Sequence, residues 1–410
     1  YTGQAREVSL KRLGLTTAEA RRDWLIRKSR DLAQSKAARA AGEMAPTETT
    51  VTEAVADYLA AAGHRLRPAT VLTYREGLDL FAVWAAKTRL PCIEDLDLPR
   101  LAAFREWLIA RPRQRVVKGA RRGERAPGVG TISPASINSR LRSVKAALNH
   151  WRRLGLTPRL DRDKIADGLA RVPEPRPRPD FLRPSELREL LGAALRHDAD
   201  TFDETREEHA GRKPKGSTLR HEPVGPFVLV TLLTGCRVGE VLALRWASVD
   251  FDEQEIVLAA TATKTKHERS VSLEVAPALV DLLRALKLRS EGPYVFGGKR
   301  PWSRSRVEAA RKRLSRDYGS PSFTWQRLRQ TCATFLVNAP AIYGAASAYR
   351  AARQLGHSVA VAERNYLGLA KSVPKDATTL EAAMRIESEV DELLAAAGAS
   401  PKRQKEVRRA

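Results

Sequence analysis

The sequence predicts a mainly α protein with a small antiparallel β-sheet, divided into two domains. Three observations carry this. Apolar residues recur at helical spacing through most of the 410-residue chain. One stretch, residues 255–273, switches to β character around a Thr/Lys turn. Finally, "VPEPRPRPD", residues 172–180, is Pro-rich, the composition of an extended, semi-rigid spacer between domains.

Residues 1–48 are basic and helix-prone. "TTAEARRDWLIRKSRDLAQSKAARAAGE" reads as one helix, with Ala20, Trp24 and Leu25 at helical spacing and Thr17 and Glu19 at its start. This segment is either the end of a further domain, basic enough to meet a polyanion, or a linker. The chain begins at Tyr1 rather than Met, so processing or an upstream segment is expected.

A helical domain is expected over 49–171. Its helices lie in "TETTVTEAVADYLAAAG" (Val51, Val55, Tyr58, Leu59), "RPATVLTYREGLDLFAVWAAK" (Val71, Tyr74, Leu78, Phe81, Trp84) and "LPRLAAFREWLIAR", begun after Pro99. A further helix, "SPASINSRLRSVKAALNHWRRLG", has Ser133 as cap and Pro134 in its first position. Between the last two, "RPRQRVVKGARRGERAPGVG" (111–130) reads as a Gly-rich basic loop. It sets Arg111, Arg113, Arg115, Lys118, Arg121, Arg122 and Arg125 against the single acid Glu124. Such a run is either a solvated loop or a phosphate contact.

The second domain is expected over 181–375. "FLRPSELRELLGAAL" is a helix entered through Pro184 and Ser185, and polar residues 197–222 read as an insertion. "VGPFVLVTLL" is a buried helix ending at Thr234–Gly235, and "RVGEVLALRW" is another. Ile256, Val257, Leu258, Val271 and Leu273 form the strands, and "GPYVFGGKR" reads as a strand and turn. Helices follow in "PALVDLLRALKL", "SRVEAARKRLSRDYG", "TWQRLRQTCATFLVN", "GAASAYRAARQLG" and "SVAVAERNYLG". The tail, 376–410, carries one acidic amphipathic helix, "TLEAAMRIESEVDELLAAAG", and ends in a basic run.

Composition narrows the partner. Lys and Arg number 72 against 48 Asp and Glu, a net charge of +24, which favours a polyanion. Aromatics are only 6%, which favours a duplex-backbone binder over a single-strand stacking platform. No apolar run reaches the roughly 20 residues a membrane span needs, so no membrane partner is expected. Cys92, Cys236 and Cys332 are far apart with no CxxC, which suits a reducing cytoplasm and argues against a zinc site.

Four stretches carry the chemistry. "TGCRVGEVLALRW" places Arg237 after a Gly turn where a helix begins, a position from which a guanidinium can join backbone amides around a phosphate. "TATKTKHERSVSL" places Lys264 and Lys266 in a hairpin turn. "TWQRLRQ" supplies Gln326 and Arg329, at i and i+3 on one helix face. "LGHSVAVAERNYLG" supplies His357 in a turn and Tyr366 beyond it. Taken singly, each has an ordinary structural explanation.

Together and in this order, "TGCRVGEVLAL", "TKTKHERSVSL", "QRLR", "LGHS" and "NY" resemble the tyrosine recombinase (phage integrase) family over about residues 49–370. The resemblance implies a helical core-binding (SAM-like) domain and an α/β catalytic domain that together clamp DNA. It assigns Tyr366 as nucleophile, Arg237 and Arg329 to the scissile phosphate, and Glu240 as the acid supporting Arg237. Lys264 matches the hairpin lysine, with Lys266 as fallback, and His357 takes the His/Trp position. Gln326 stands where the family usually has His. The implied reaction is site-specific cutting and rejoining of duplex DNA through a 3′-phosphotyrosyl link. One diester replaces another, so no cofactor, ATP or metal is expected.

The physics suits those roles. Two arginines can clamp the charge that spreads over the non-bridging oxygens. A turn lysine can protonate the leaving alkoxide. The resemblance also implies a homotetramer on two DNA sites with the C-terminal helix exchanged between protomers, in a bacterial or phage-encoded protein at the nucleoid. Two rivals stand beside it: a type IB topoisomerase, and a non-catalytic DNA-binding homologue disabled at Gln326. In "TWQRLRQTCATFLVN", Cys332, Phe335 and Leu336 are expected to face inward, Arg329 and Gln326 to face a phosphate, and Arg327 to lie at the surface or to contact backbone.

Overall fold

The computed structural model describes residues 17–40, 49–116, 125–175, 180–200, 223–260, 268–343, 347–356, 358 and 373–399. The chain divides into two units between Arg176 and Pro177, within the Pro-rich stretch. Most described residues are helical, and the two sheets are small and antiparallel.

In the first unit the expected helices form at Ala18–Ala40, Val51–Gly63, Pro68–Lys87, Leu98–Ile109 and Pro134–Arg153. Their starts follow from local chemistry. Thr17 Oγ1 accepts the Ala20 N–H. Thr50 and Glu53 cap each other. Asp97 and Ser133 each accept a first-turn N–H. The apolar faces of the four helices from Val51 onward close on Leu78, Phe81, Phe104, Val144 and Trp151, all buried. Phe81 meets Phe104 edge-on at 5.1 Å between ring centroids. A short helix, Arg162–Gly168, was not foreseen; it places Ile165 in the same core.

The stretch expected to be a basic loop is instead a hairpin. Strand β1 (Pro112–Val116) pairs antiparallel with β2 (Arg125–Thr131), with an irregularity between Pro112 and Gln114. The pairing satisfies the backbone N–H and C=O groups of both segments, and that requires no apolar run. Lys118, Arg121 and Arg122 lie outside the described residues.

The second unit is built around the helix Trp325–Asn338. It packs against the helices Gly225–Thr234, Ser347–Leu355 and Leu380–Met384. The helix Pro184–Ala199 begins with the Arg183 N–H donating to Glu186 at 2.8 Å. Asp198, near its end, accepts the N–H groups of Val224 and Gly225 at 2.8 and 2.7 Å, and so anchors the start of the next described helix. "RVGEVLALRW" forms only a short helix, Val238–Leu242, followed by a 3₁₀ turn at Trp246–Ser248. The sheet has order β3 (Val249–Asp250), β4 (Glu255–Leu258), β5 (Arg269–Ser272), with Ile256 opposite Val271. "GPYVFGGKR" makes isolated bridges, Arg245 with Tyr294 and Gly297 with Pro301, and forms no strand.

The tail also departs from expectation. Its helix is broken into Leu380–Met384 and Glu387–Ala396 by Arg385, which sits at φ 55°. The break turns Leu380, Met384, Ile386, Leu393 and Leu394 all into the core of the chain's own second unit. In this single chain the helix docks on its own unit. Burial of that much apolar surface holds it in place.

Candidate functional site

The first arginine box is set by a glycine. The helix Gly225–Thr234 ends at Gly235, whose φ of 61° is left-handed. A Cβ there would stand 2.4 Å from Leu355 Cδ2 and 3.0 Å from Cys332 Sγ, so the turn needs Gly for both torsion and space. The chain then enters the helix Val238–Leu242 with Arg237 as its cap residue. Glu240 accepts the Arg237 N–H at 2.8 Å and its guanidinium Nη1 at 2.9 Å. The Arg237 side chain remains 26% exposed, while that of Glu240 is 2% exposed.

Glu240 has a second cation. Arg269 Nη2 lies 2.7 Å from Oε2 of Glu240. Burial pushes the Glu240 carboxyl up, but the Arg269 charge, the Arg237 N–H and the Arg237 guanidinium outweigh it. The carboxyl ends below the usual carboxylate range. Arg269 was missed in the sequence reading, although a signal was present. In "HERSVSL" the period of two puts Arg269 on the same strand face as Val271 and Leu273, both fully buried. A charged residue at the head of a buried alternation needs a buried partner.

The second arginine box lies on the helix Trp325–Asn338, capped by Thr324, whose side chain accepts the Arg327 N–H at 3.1 Å. Trp325 goes into the core, edge-on to Phe227 at 5.1 Å. Arg327 is more tightly held than a surface residue. It bonds Asp180 at 2.9 Å, Glu186 at 3.3 Å and the Ser322 carbonyl at 3.0 Å, tying the helix start to residues 180–186. Cys332, Phe335 and Leu336 face inward as expected.

Arg329 is 1% exposed. Its Nη1 donates to the Gly235 carbonyl at 2.6 Å and its Nη2 to the Leu355 carbonyl. It thus fastens the turn before Arg237 to the turn before His357. Gln326, expected on the same face, is exposed. The pair therefore separates into an inner cation and an outer amide, because the core closes over the helix within its second turn. The Cys332 thiol, beside Gly235, is pushed up to about 12 by burial.

Arg237, Glu240 and Arg329 are therefore gathered around two touching turns, Gly235–Arg237 and Leu355–Gly356, together with Arg269. Lys264, Lys266, His357 and Tyr366 lie outside the described residues. Among the described residues no group of three or more His, Cys, Asp or Glu could hold a metal ion. In the first unit, Arg113 is exposed and Arg111 lies over the Trp107 ring at 5.0 Å. Both line a surface cleft with Arg140, Ser133 and Ser136, alongside the acids Glu76 and Asp79. Arg115 is in β1.

Comparison with known proteins bears on the fold. Residues 213–370 match the model of the phage integrase family. A lambda integrase dimer bound to a COC′ core site is similar in structure, with TM-score 0.53 and 17% identity, over 80% of this chain and 99% of that one. The Tn1549 transposon integrase in complex with circular intermediate DNA is similar with TM-score 0.50 and 16% identity, over 82% and 98% of the two chains. At these identities the likeness is one of fold. No curated protein matches the sequence.

Proposed function

For a chain that carries a phage integrase family domain over residues 213–370 and the tyrosine recombinase fold, we propose site-specific cutting and rejoining of duplex DNA through Tyr366. The observation that carries the reading is the Arg237–Glu240–Arg269 cluster, locked to Arg329 through the Gly235 and Leu355 carbonyls.

In this reading the Tyr366 phenol gives up its proton to water and its oxygen attacks a DNA phosphodiester. A 3′-phosphotyrosyl bond forms and the bond to the 5′-oxygen breaks. Lys264, or Lys266 in its place, protonates that leaving oxygen. Arg237, held by Glu240 and partly exposed, takes the charge on the non-bridging oxygens. Arg329 joins it only by releasing the Gly235 or Leu355 carbonyl that it holds in the DNA-free chain. Glu240 holds Arg237 in its rotamer. His357 and Gln326 donate hydrogen bonds to the phosphate. Attack by the freed 5′-hydroxyl of a second strand reverses the step, so bond energy is conserved without ATP or metal. Arg111, Arg113, Arg115, Lys118, Arg121 and Arg122 contact the duplex backbone from the first unit.

Four protomers on two DNA sites complete the exchange. Passing the C-terminal helix between protomers would require withdrawing Leu380 to Ala396 from the core they complete here.

The test uses nicked duplexes drawn from the DNA flanking the gene, built so that the cut strand diffuses away. The wild type is expected to leave a covalent protein–DNA adduct, and Tyr366→Phe none. An adduct that persists in Tyr366→Phe refutes the nucleophile. Relaxation of supercoiled DNA lacking any such site would point to topoisomerase action instead.

A further inference from the structure

Arg269 leaves the core face of β5 with a side chain only 9% exposed. One arm of its guanidinium, Nη2, reaches Glu240 Oε2, the same oxygen that accepts the Arg237 N–H. The other, Nη1, donates to the Gln354 carbonyl. Gln354 is itself pinned to β5: its Oε1 accepts the Ser272 N–H at 3.0 Å and its Nε2 donates to the Ser272 carbonyl at 2.9 Å. The Arg269 stem runs against Gly356. A Cβ on Gly356 would stand 2.7 Å from Arg269 Cδ and 3.0 Å from Nε, and φ there is +67°. One side chain therefore touches the acid behind Arg237, the strand that leaves the lysine hairpin, and the turn that leads into His357.

We propose that Arg269 is a positioning residue for strand transfer. It acts through Glu240 on Arg237 and holds the Gln354–Gly356 turn in place. This rests on the reading of Tyr366 chemistry given above. Glu240 with Arg237 alone is a neutral pair whose carboxylate is buried, and that carboxylate would draw the Arg237 guanidinium inward to satisfy itself. A second cation gives the cluster a net positive charge, so Arg237 can face an anionic phosphate while Glu240 stays paired. The planar fork also spans an oxygen on each side, which a lysine ammonium cannot do with fixed geometry.

The experiment compares the full-length wild type with Arg269→Gln, Arg269→Lys, Arg237→Lys and the double variant Arg237→Lys/Arg269→Gln. Each is measured for duplex affinity, thermal melting and single-turnover adduct formation on the nicked duplex. Arg269→Gln is expected to bind DNA within about 3-fold of wild type but to cleave about 100-fold more slowly, the cost of a small misplacement of reacting groups. Arg269→Lys, which keeps the charge and lacks the fork, is expected to fall between them and guards against misfolding of the Gln variant. The double variant is expected to cleave no more slowly than Arg237→Lys alone, because both changes act on one unit. Wild-type cleavage by Arg269→Gln overturns the proposal. Losses that multiply in the double variant, with melting and affinity falling in parallel, assign Arg269 a purely structural role and also overturn it. A wild type that binds but forms no adduct overturns the reading of Tyr366 first, and this inference with it.

Discussion

Glu240 holds Arg237 twice, by its backbone N–H at 2.8 Å and by its guanidinium at 2.9 Å. A helix-capping contact and the anchoring of the guanidinium proposed to meet the phosphate are thereby made by the same two residues. The cap fixes the backbone from which the guanidinium projects, so helix geometry sets the position of the first arginine.

Glu240→Gln is expected to lose about 3–5 kcal/mol of stability, since it strands the Arg269 charge in the core. Urea midpoints measure this. The pH dependence has a definite sign. The folded carboxyl titrates below its reference value of 4.5. The stability it contributes is therefore present above that value and lost as pH falls through the folded pKa. Glu240→Gln should flatten this acid limb; an unchanged limb would mean that other carboxylates dominate it.

Gln326→His is expected to leave stability within about 0.5 kcal/mol, because the side chain is exposed. An imidazole there can accept the Tyr366 proton as well as donate a hydrogen bond. Adduct formation should accelerate by up to about 100-fold and acquire a pH dependence. An unchanged rate would show that the position needs only a donor.

Gly235→Ala is expected to cost about 1–3 kcal/mol, from overpacking against Leu355 and Cys332 in a left-handed turn. Thermal melting reads the loss. The damage should also reach catalysis, since the carbonyl that anchors Arg329 belongs to this residue.

Glu381 sits in the core where the tail docks. Its Oε1 accepts the Ala278 N–H at 3.2 Å, and its Oε2 is buried with no partner. Burial pushes its carboxyl up from 4.5 to about 7. A carboxyl whose folded pKa is raised binds its proton more tightly when folded. Its contribution is complete below the unfolded value and is lost as pH rises from about 4.5 through about 7. The loss is up to about 3 kcal/mol across that window. Glu381→Gln, neutral at every pH, should abolish this decline in melting temperature between pH 5 and 8. A wild type with no such decline refutes the shift.

Much of this site was legible in the sequence because its parts are local. Gly235 before Arg237, Glu240 three residues on, and the spacing of Gln326 and Arg329 are patterns within one turn of chain. Arg269 was not read because its partners, Glu240 and Gln354, lie 29 and 85 residues away. The hairpin at 112–131 was missed for a related reason. Its segments carry no apolar alternation to read, and their pairing is a ladder of backbone bonds between residues 112–116 and 125–131.

By itself, the sequence determined most of the described helices, their caps and the β-character stretch. All of these follow from periodicity and from steric limits on a few neighbouring residues. Tertiary structure alone decided the rest. It buried Arg329 against the carbonyls of Gly235 and Leu355 while leaving Gln326 outside. It gave Glu240 two cations, and it broke the tail helix at Arg385 so that both halves join the core. The physical reason is that a buried polar group must find its partners and an apolar face its cover. Which distant residue supplies them is settled only when the chain has closed.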